Sequence, residues 1–343
     1  MAESRRVEPD LTFIKELTTA GGDTLKKCFQ CATCSIVCPI SPDDKPFPRK
    51  EMIWAQWGMK DRLVKDPDVW LCHHCGDCTA YCPRGAKPGE VMGAIRKASV
   101  EYYAPIKAIA KAAGSVGGMI VLLIIPVVIL LAMLAVNGTL HIPEGKIVYS
   151  KMFPQLTLVD PVFISAALFA IISAIIGIKK FWADITTEKI GVGMPLGESI
   201  KSTIAEILAH SKFKECGENK NRLTAHRLVF WSFVGLFIVT NSVLVIHWLH
   251  EFGYVHYDTP LLILKPTKAP VQFLIKLLAN VSAAALFLGC ILMIGNRMQA
   301  AEKGVNSTFN DWALIFIITT VCITGILSEV IRLLELKVAY VVY

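Results

Sequence analysis

The stretch CFQCATCSIVCP (residues 28–39) places four cysteines within twelve residues, and CHHCGDCTAYCP (residues 72–83) repeats the arrangement. Both stretches read C-x2-C-x2-C-x3-C-P, so eight of the eleven cysteines in the chain belong to two copies of one pattern. Thiolates bind iron well because they are soft ligands that lose their protons readily beside a cation. Three cysteines separated by two residues each can surround one face of a cubane cluster.

The duplicated motif predicts two 4Fe-4S clusters with crossed ligands. In proteins with two such clusters, the cysteine before the proline ligates the cluster of the other motif. A pair of structural zinc sites is the alternative, but zinc sites usually use paired C-x2-C knuckles instead of triplets with a trailing C-P. The predicted ligands are Cys28, Cys31, Cys34 and Cys82 for one cluster, and Cys72, Cys75, Cys78 and Cys38 for the other.

Composition predicts that the protein is partly embedded in a membrane. The chain has 343 residues, 54% of them hydrophobic, which is too apolar for an ordinary soluble protein of this size. The first residues, MAESRRVEPDLTFIKEL, contain no apolar core of a signal peptide, so we expect the cysteine region to stay in the cytoplasm. In that reducing compartment, clustered cysteines bind metal more often than they form disulfides.

Long apolar runs begin near residue 115 and divide the chain into two predicted domains. Residues 1–110 form a cytoplasmic iron-sulfur domain, and residues 111–343 form a membrane domain like that of a cytochrome b. A helix of ~20 apolar residues crosses a hydrocarbon core of ~30 Å. The predicted fold is therefore mainly α, a ferredoxin-like two-cluster domain followed by a bundle of five to six spans. These are residues 116–136, 160–178, 228–249, 270–294 and 312–331, with a possible sixth starting at 338.

Basic residues predict the orientation of these spans. The connection 179–227 holds nine Lys and Arg residues, whereas the connections 138–159 and 251–269 hold two each. Basic connections stay on the cytoplasmic side, which places the iron-sulfur domain on that side of a multi-pass inner-membrane protein. The net charge of +7 is thus explained by membrane lipid and topology, without a nucleic-acid partner.

Histidines at the ends of the third span are candidate ligands for haem b. His226 and His247 are 21 residues apart, which corresponds to ~31 Å along a helix, so each would serve a separate haem near one membrane face. Imidazole is a common axial ligand of haem iron. His250 is a further candidate at the outer end. The alternative is that these are ordinary interfacial side chains.

Polar residues in the fourth and fifth spans are candidate contacts for a quinone head group or a haem propionate. Snorkelling towards the interface is the alternative interpretation. Among the remaining cysteines, Cys216 is a candidate redox-sensitive thiol in the basic connection, while Cys290 and Cys322 are expected to be small packing residues. The candidate quinone contacts are Lys276, Asn280, Glu329 and Arg332.

The two cysteine motifs, together with HSKFKECGENKNRLTAHRLVFW (residues 210–231), resemble the C subunit of the quinone-interacting membrane-bound oxidoreductases of sulfate-reducing microorganisms. That family looks like a fusion of the iron-sulfur and cytochrome b subunits of heterodisulfide reductase. The resemblance implies one or two b haems, menaquinone as substrate, and electron transfer through two 4Fe-4S clusters to cytoplasmic flavin- and iron-sulfur-containing subunits. It also implies adenylylsulfate reductase as the final partner in dissimilatory sulfate reduction.

Two alternatives to this function stay open. One is a haem-free iron-sulfur membrane anchor, and the other is a heterodisulfide-reductase-type subunit that acts on a thiol/disulfide substrate. Members of the resembled family carry further histidines in a final membrane helix, and this sequence stops at Tyr343 as that helix opens. The second ligands expected for His226 and His247 are therefore missing from the residues given. We expect either that further residues supply them or that the haem content differs from that of the family.

Overall fold

The computed structural model describes residues 8–140, 154, 157, 159–186, 195–214, 220–254, 270–302, 307–334 and 336. Within these ranges the regular secondary structure is entirely helical. Five helices are long and apolar enough to cross a membrane, which indicates a membrane protein. The predicted helical fold with at least five spans is confirmed. The predicted sixth span and Cys216 lie outside the described residues.

The chain forms two compact units. The first comprises Met1–Glu206, Lys303–Asn310 and Leu334–Tyr343, and the second comprises Ile207–Glu302 and Asp311–Leu333. The predicted division into an iron-sulfur domain (residues 1–110) and a membrane domain (residues 111–343) stays a prediction.

Short helices surround one apolar core in the N-terminal part of the first unit. Its buried members include Phe13, Phe47, Met52 and Ile95. Four motif cysteines, Cys28, Cys38, Cys72 and Cys82, pack against this core, so the fold brings both motifs onto one scaffold. The helices are Leu11–Leu17, Thr18–Gly22 (π), Leu25–Lys27 (3-10), Thr33–Ile36, Arg49–Gln56, Lys60–Lys65, Asp68–Leu71, Asp77–Ala80 and Pro88–Tyr103.

Local sequence signals explain where several of these helices begin and end. The Asp10 side chain accepts a hydrogen bond from the Phe13 amide (2.9 Å) and caps the first helix. Pro88 occupies the first turn of Pro88–Tyr103, the longest of these N-terminal helices, where no backbone donor is needed. Gly58 separates Arg49–Gln56 from Lys60–Lys65 with a φ of +65°, and a Cβ there would lie 2.8 Å from backbone atoms of Asp10. Only glycine fits this turn.

The first unit continues into two candidate membrane spans. Lys107–Ala113 packs on Pro88–Tyr103 and leads into span 1, Val116–Val136. Span 2, Asp160–Ile185, packs its C-terminal end against the N-terminal helices. The helix Leu196–Ala209 follows span 2 in the chain. Its last residues belong to the second unit.

The second unit contains the other three candidate spans. These are span 3 (Lys220–Glu251), span 4 (Pro270–Glu302) and span 5 (Phe309–Leu333), preceded by the 3-10 turn Ser211–Lys214. Spans 3 and 4 approach closely at Gly289, where a Cβ would lie 2.8 Å from the Val229 side chain. Small residues permit such close approach of membrane helices. Cys290 and Cys322 are buried beside Val229, so their predicted role as packing residues is confirmed.

Candidate functional site

The two cysteine motifs fold as local repeats of each other. In both triplets the third and fifth residues have positive φ, namely Gln30 and Ala32 in the first and His74 and Gly76 in the second. Each triplet then enters a short helix, Thr33–Ile36 or Asp77–Ala80, and these two helices pack together. The left-handed residues turn the chain inward, which directs three thiols of each motif towards one point.

Two cavities collect the motif cysteines into two sets of four. Site A is lined by Cys28, Cys31, Cys34 and Cys82, together with Phe29, Arg49 and Arg84 among others. Site B is lined by Cys38, Cys72, Cys75 and Cys78, together with Phe47, His73, His74 and Asp77 among others. Each site therefore combines one triplet with the C-P cysteine of the other motif.

Thiols in both sites are crowded and partly desolvated, with Cys31 as the exposed exception. Burial raises the pKa of Cys34 to about 11, and the neighbouring Cys28 and Cys82 thiols add to the rise. Burial also raises the pKa of Cys78 well above its usual range, with Cys72 and Cys75 contributing next. Such thiolates need a cation among them to exist in their charged form. The donor set thus fits iron-sulfur clusters, whose irons supply that positive charge.

Hydrogen bonds hold the cysteine loops in place. The amide of Ala86 donates to the Cys82 sulfur (3.3 Å), and the amide of His74 donates to the Cys72 sulfur (3.4 Å). Gln56 Nε2 donates to the carbonyls of Leu25 (3.1 Å) and Cys28 (3.0 Å), which fastens the start of the first motif. Donors to sulfur stabilise negative charge there and tune the reduction potential of a cluster.

A buried charged group lies close to the second motif. Lys50 Nζ lies 3.3 Å from a Glu51 carboxylate oxygen, 2.9 Å from one of Asp66 and 2.6 Å from one of Asp68. Burial raises the pKa of Glu51 to about 7, because Lys50 only partly offsets it and Asp66 adds repulsion. The lysine supplies the positive charge that these three carboxylates share. The group joins Arg49–Gln56 to the segment that leads into Cys72.

His226 lies among aromatic rings in the second unit. The Phe213 ring stacks on it with centroids 4.8 Å apart, and the His210 ring meets it edge-on at 4.9 Å. His210 in turn contacts Phe230, with centroids 4.7 Å apart. Two imidazoles and two phenyl rings thus form one cluster at the N-terminal part of span 3.

His247 and His250 differ in their surroundings although both lie near the end of span 3. The Nε2 atom of His247 is buried, and no hydrogen-bond partner reaches it in the described part of the chain. A buried nitrogen without a hydrogen-bond partner is unfavourable, and binding to a metal centre would give it a partner. The His250 side chain is exposed.

The candidate quinone contacts are only partly brought together. Lys276 of span 4 and Glu329 of span 5 form an ion pair through Lys276 Nζ and Glu329 Oε1. The Asn280 side chain is exposed, and the side chain of Arg332 lies outside the described residues. Charged side chains within membrane helices are costly unless they are paired, and they usually serve a function, so this pair is the strongest of the four candidates.

Comparison with known proteins supports this interpretation of the cysteine motifs. The sequence model of the 4Fe-4S dicluster domain family matches residues 24–86, which include all eight motif cysteines. The N-terminal region is a 4Fe-4S dicluster domain. The predicted two-cluster fold is confirmed, and this domain supports iron-sulfur clusters as cofactors.

Relatives of the dicluster domain are iron-sulfur subunits. The chain is 34% identical over 105 residues to a protein of Archaeoglobus profundus that is similar to the C subunit of heterodisulfide reductase, covering 30% of this chain and 56% of the relative. It is 37% identical over 114 residues to the C subunit of the H2:CoB-CoM heterodisulfide, ferredoxin reductase of Methanothermobacter marburgensis, covering 32% and 60%. The chain thus spans somewhat over half the length of these relatives. No solved structure matches the chain.

The dicluster domain is joined to the end of span 2 by aromatic and charged contacts. Trp70, two residues before Cys72, meets the ring of Phe181 with centroids 6.1 Å apart, and Tyr103 meets the same ring at 5.4 Å. Lys180 Nζ lies 3.4 Å from the Tyr102 ring centroid and donates to the Tyr102 carbonyl (2.5 Å). The end of span 2 that enters the basic connection therefore lies against the dicluster domain.

His210 is the residue that sequence reasoning missed. It precedes His226 by sixteen positions, and the Ser211–Lys214 turn returns the chain so that the two rings meet. His210 itself has a φ of +51°, an uncommon conformation for a residue other than glycine. The only signal in the sequence is a histidine directly after an amphipathic helix, which is too common to single it out.

Proposed function

We propose that this protein is an electron-transfer subunit of the inner membrane that exchanges electrons with menaquinone and passes them to cytoplasmic redox partners. The observation that carries the proposal is the dicluster domain packed directly on the end of a candidate membrane span. A soluble relay would not need that attachment. The basic connection beyond span 2 supports a cytoplasmic position for the domain.

The cysteines would hold two clusters, one at each site. One cluster would be held at site A by Cys28, Cys31, Cys34 and Cys82. The other would be held at site B by Cys72, Cys75, Cys78 and Cys38, and the lining of the two cavities supports this grouping. Such clusters supply one-electron transfer. The protein contributes the desolvated thiols, the amide donors to sulfur, and the apolar core that fixes the two sites side by side.

His226 and His247 would each hold a b haem, which supplies one-electron transfer within the membrane. The buried, unpartnered Nε2 of His247 and the aromatic surroundings of His226 support this assignment. His210 is the nearest described imidazole to His226 and joins the candidates for that side. The exposed position of His250 makes it the weaker choice at the other end.

Lys276 and Glu329 are the proposed contacts for the quinone, with Asn280 and Arg332 as further candidates. A lysine can donate a hydrogen bond to a quinone oxygen, and a carboxylate can accept the proton released when a quinol is oxidised. The ion pair between these two residues holds both groups ready on facing helices.

The proposed partners are flavin- and iron-sulfur-containing cytoplasmic subunits of the same complex, with adenylylsulfate reductase as acceptor. The resemblance of the motifs to the quinone-interacting oxidoreductases supports this choice. A second candidate, a heterodisulfide-reductase-type subunit, is favoured by the relatives of the dicluster domain. A haem-free anchor is the third, and the haem content separates it from the other two.

The test is a haem count on the purified full-length protein in detergent, combined with a reduced-minus-oxidised spectrum. We expect His226→Ala and His247→Ala each to lose one b haem, because each removes an imidazole that would hold it. His250→Ala is the matched control on the same helix and should keep the haem content of the unmodified protein. The variant His247→Ala should also lose reduction of its clusters by menaquinol.

Three outcomes decide between the candidates. A full haem count in both His226→Ala and His247→Ala would reject the ligand assignment. Iron and acid-labile sulfide without any haem would support the anchor. Haem-loaded protein that fails to react with menaquinol but reacts with a thiol/disulfide couple would support the heterodisulfide-type function.

A further inference from the structure

The two cluster sites differ in how they reach the surface of the dicluster domain. Of the eight motif cysteines, all of which the structure describes, Cys31 of site A alone is exposed. Cys34 is buried and the other six are half-buried. Electron transfer weakens steeply with distance, so a soluble partner gains most by approaching the domain at Cys31.

Large apolar side chains are exposed in the segments that supply the site A cysteines. Phe29, which lines site A, is 67% exposed, Ile36 at the end of the adjoining helix is 80% exposed, and Tyr81 beside Cys82 is 66% exposed. Aromatic side chains are typical of the centres of protein interfaces. Phe29 lines the same cavity as Cys31, and Ile36 and Tyr81 belong to the two segments whose cysteines line that cavity. Apolar side chains exposed this close to a functional site are candidates for contact with a partner.

The rim of the same surface is basic. Arg49 and Arg84 line site A, whose described lining includes no acidic residue, and the exposed Lys26 and Lys27 lead into Cys28. The Arg84 guanidinium lies 4.0 Å from the Phe29 ring centroid, which holds both side chains at the surface. The lining of site B, by contrast, includes Asp77 and neither lysine nor arginine.

Site B is covered by the chain itself. A Cβ on Gly93 would lie 3.1 Å from the His74 ring and 3.5 Å from the Thr308 side chain, so the helix Pro88–Tyr103 lies directly against the second motif. Trp70 connects the segment before Cys72 to Phe181 of span 2. The segment that leads into the site B triplet is therefore the one that contacts span 2.

We infer that the surface formed by Phe29, Arg49 and Arg84 around Cys31 docks a soluble redox protein with an acidic surface around its own redox centre. The exposed Ile36 and Tyr81 of the same two motifs would extend its apolar part. The inference rests on the proposed electron-transfer function and adds the path of electrons within the dicluster domain. Site B would exchange electrons with the membrane domain, and site A would pass them to the soluble partner. Opposite charge steers such a partner to the basic rim, and the apolar centre then sets how long it stays.

The test uses full-length protein in nanodiscs and two probes, an acidic plant-type ferredoxin and the basic protein cytochrome c. We expect ferredoxin to bind at about 20 mM salt and to lose at least about tenfold in affinity at about 300 mM, because ions screen the rim charges. Cytochrome c should bind much more weakly. Affinity is measured by interferometry and does not require turnover.

Variants separate the basic rim from the apolar centre. The double variant Arg49→Glu/Arg84→Glu should weaken ferredoxin binding at low salt by at least about tenfold and remove its salt dependence. Lys15→Glu/Arg62→Glu changes the net charge equally, at exposed positions outside the lining of either site, and should bind like the unmodified protein. Ile36→Ser should raise the dissociation rate and leave the salt dependence unchanged.

The inference is overturned if both double variants weaken ferredoxin binding equally, or if cytochrome c binds more tightly than ferredoxin. It is also overturned if Arg49→Glu/Arg84→Glu reduces binding to anionic lipid vesicles while ferredoxin binding is unchanged. Failure of the proposed function has a different signature, since unmodified protein would then lack cluster iron or fail to react with quinol whatever its affinity for ferredoxin.

Discussion

Cys38 is the residue at which the crossed arrangement is most directly tested, because it belongs to the first motif by sequence and lines site B in space. Unmodified protein should contain about eight cluster irons with matching sulfide. Cys38→Ala should lose the site B cluster first, lowering iron to about four per chain. Electron paramagnetic resonance of the reduced protein would show one cluster signal in place of two.

Cys290→Ala is the control for this experiment, since Cys290 is a buried packing residue of the second unit and should leave all iron in place. If Cys38→Ala instead lost the signal that disappears in Cys31→Ala, each motif would serve its own cluster. Bound zinc without sulfide would contradict the cluster assignment altogether.

Glu51 predicts a pH-dependent contribution to stability. Burial raises its pKa in the folded protein to about 7, and an unfolded glutamate titrates near ~4.3. Below ~4.3 both states are protonated; above that pH the folded state alone keeps its proton, so the free energy of unfolding falls until the pH passes about 7. Glu51→Gln has no carboxyl group to titrate, so its free energy of unfolding should not fall in this way. The difference in free energy of unfolding between the variant and unmodified protein should therefore shift in favour of the variant by up to about 3 kcal/mol between pH 4 and pH 8.

The measurement is the melting temperature of full-length protein in detergent across this pH range. Glu16→Gln is the control, because Glu16 is exposed and its ion pair with Lys60 is long, at 3.6 Å. Surface pairs of this kind contribute little. Parallel pH curves for Glu51→Gln and unmodified protein would show that Lys50 keeps the Glu51 carboxylate charged throughout.

At the scale of elements, the close approach of spans 3 and 4 depends on Gly289. A Cβ there would lie 2.8 Å from the Val229 side chain and 3.2 Å from the Val229 amide nitrogen, so Gly289→Val must separate the helices. Overpacking of this kind costs about 1–3 kcal/mol. We expect a lower melting temperature in detergent. Gly295→Val lies on the same helix with no atom within 4 Å of its Cβ, and it should melt like unmodified protein.

The sequence predicts the existence of the elements better than the contacts between them. Spans 1 to 5 follow from long runs that are mostly apolar, and the four left-handed residues lie within the cysteine spacing from which the two sites were predicted. The contact between His210 and His226, and the ion pair between Lys276 and Glu329, depend on a turn and on the rotation of helices about their axes. Periodicity does not define these rotations when a helix is apolar on all sides.

At the scale of the whole molecule, the contact with span 2 puts the dicluster domain beside the end of that span from which the basic connection leaves. The end of span 2 at Lys180 packs on Tyr102, so the basic connection that follows must emerge on the side of the dicluster domain. The positive-inside rule, an independent argument, predicts that this connection is cytoplasmic. Geometry and charge distribution therefore make a joint prediction about sidedness.

Trypsin digestion of oriented membrane vesicles tests that prediction. In inside-out vesicles we expect cleavage within the basic connection 179–227, which holds nine of the trypsin sites, and at exposed lysines of the dicluster domain. In right-side-out vesicles cleavage should be confined to Lys146 and Lys151 of the connection 138–159, to Lys268 of the connection 251–269, and to Arg332 and Lys337 after span 5. Lys265 precedes Pro266 and should resist trypsin. Mass spectrometry of the fragments identifies each cut. Cleavage of the dicluster domain in right-side-out vesicles would place its electron outlet outside the cell and would contradict a cytoplasmic partner, because the exposed face of site A would then open to the wrong compartment.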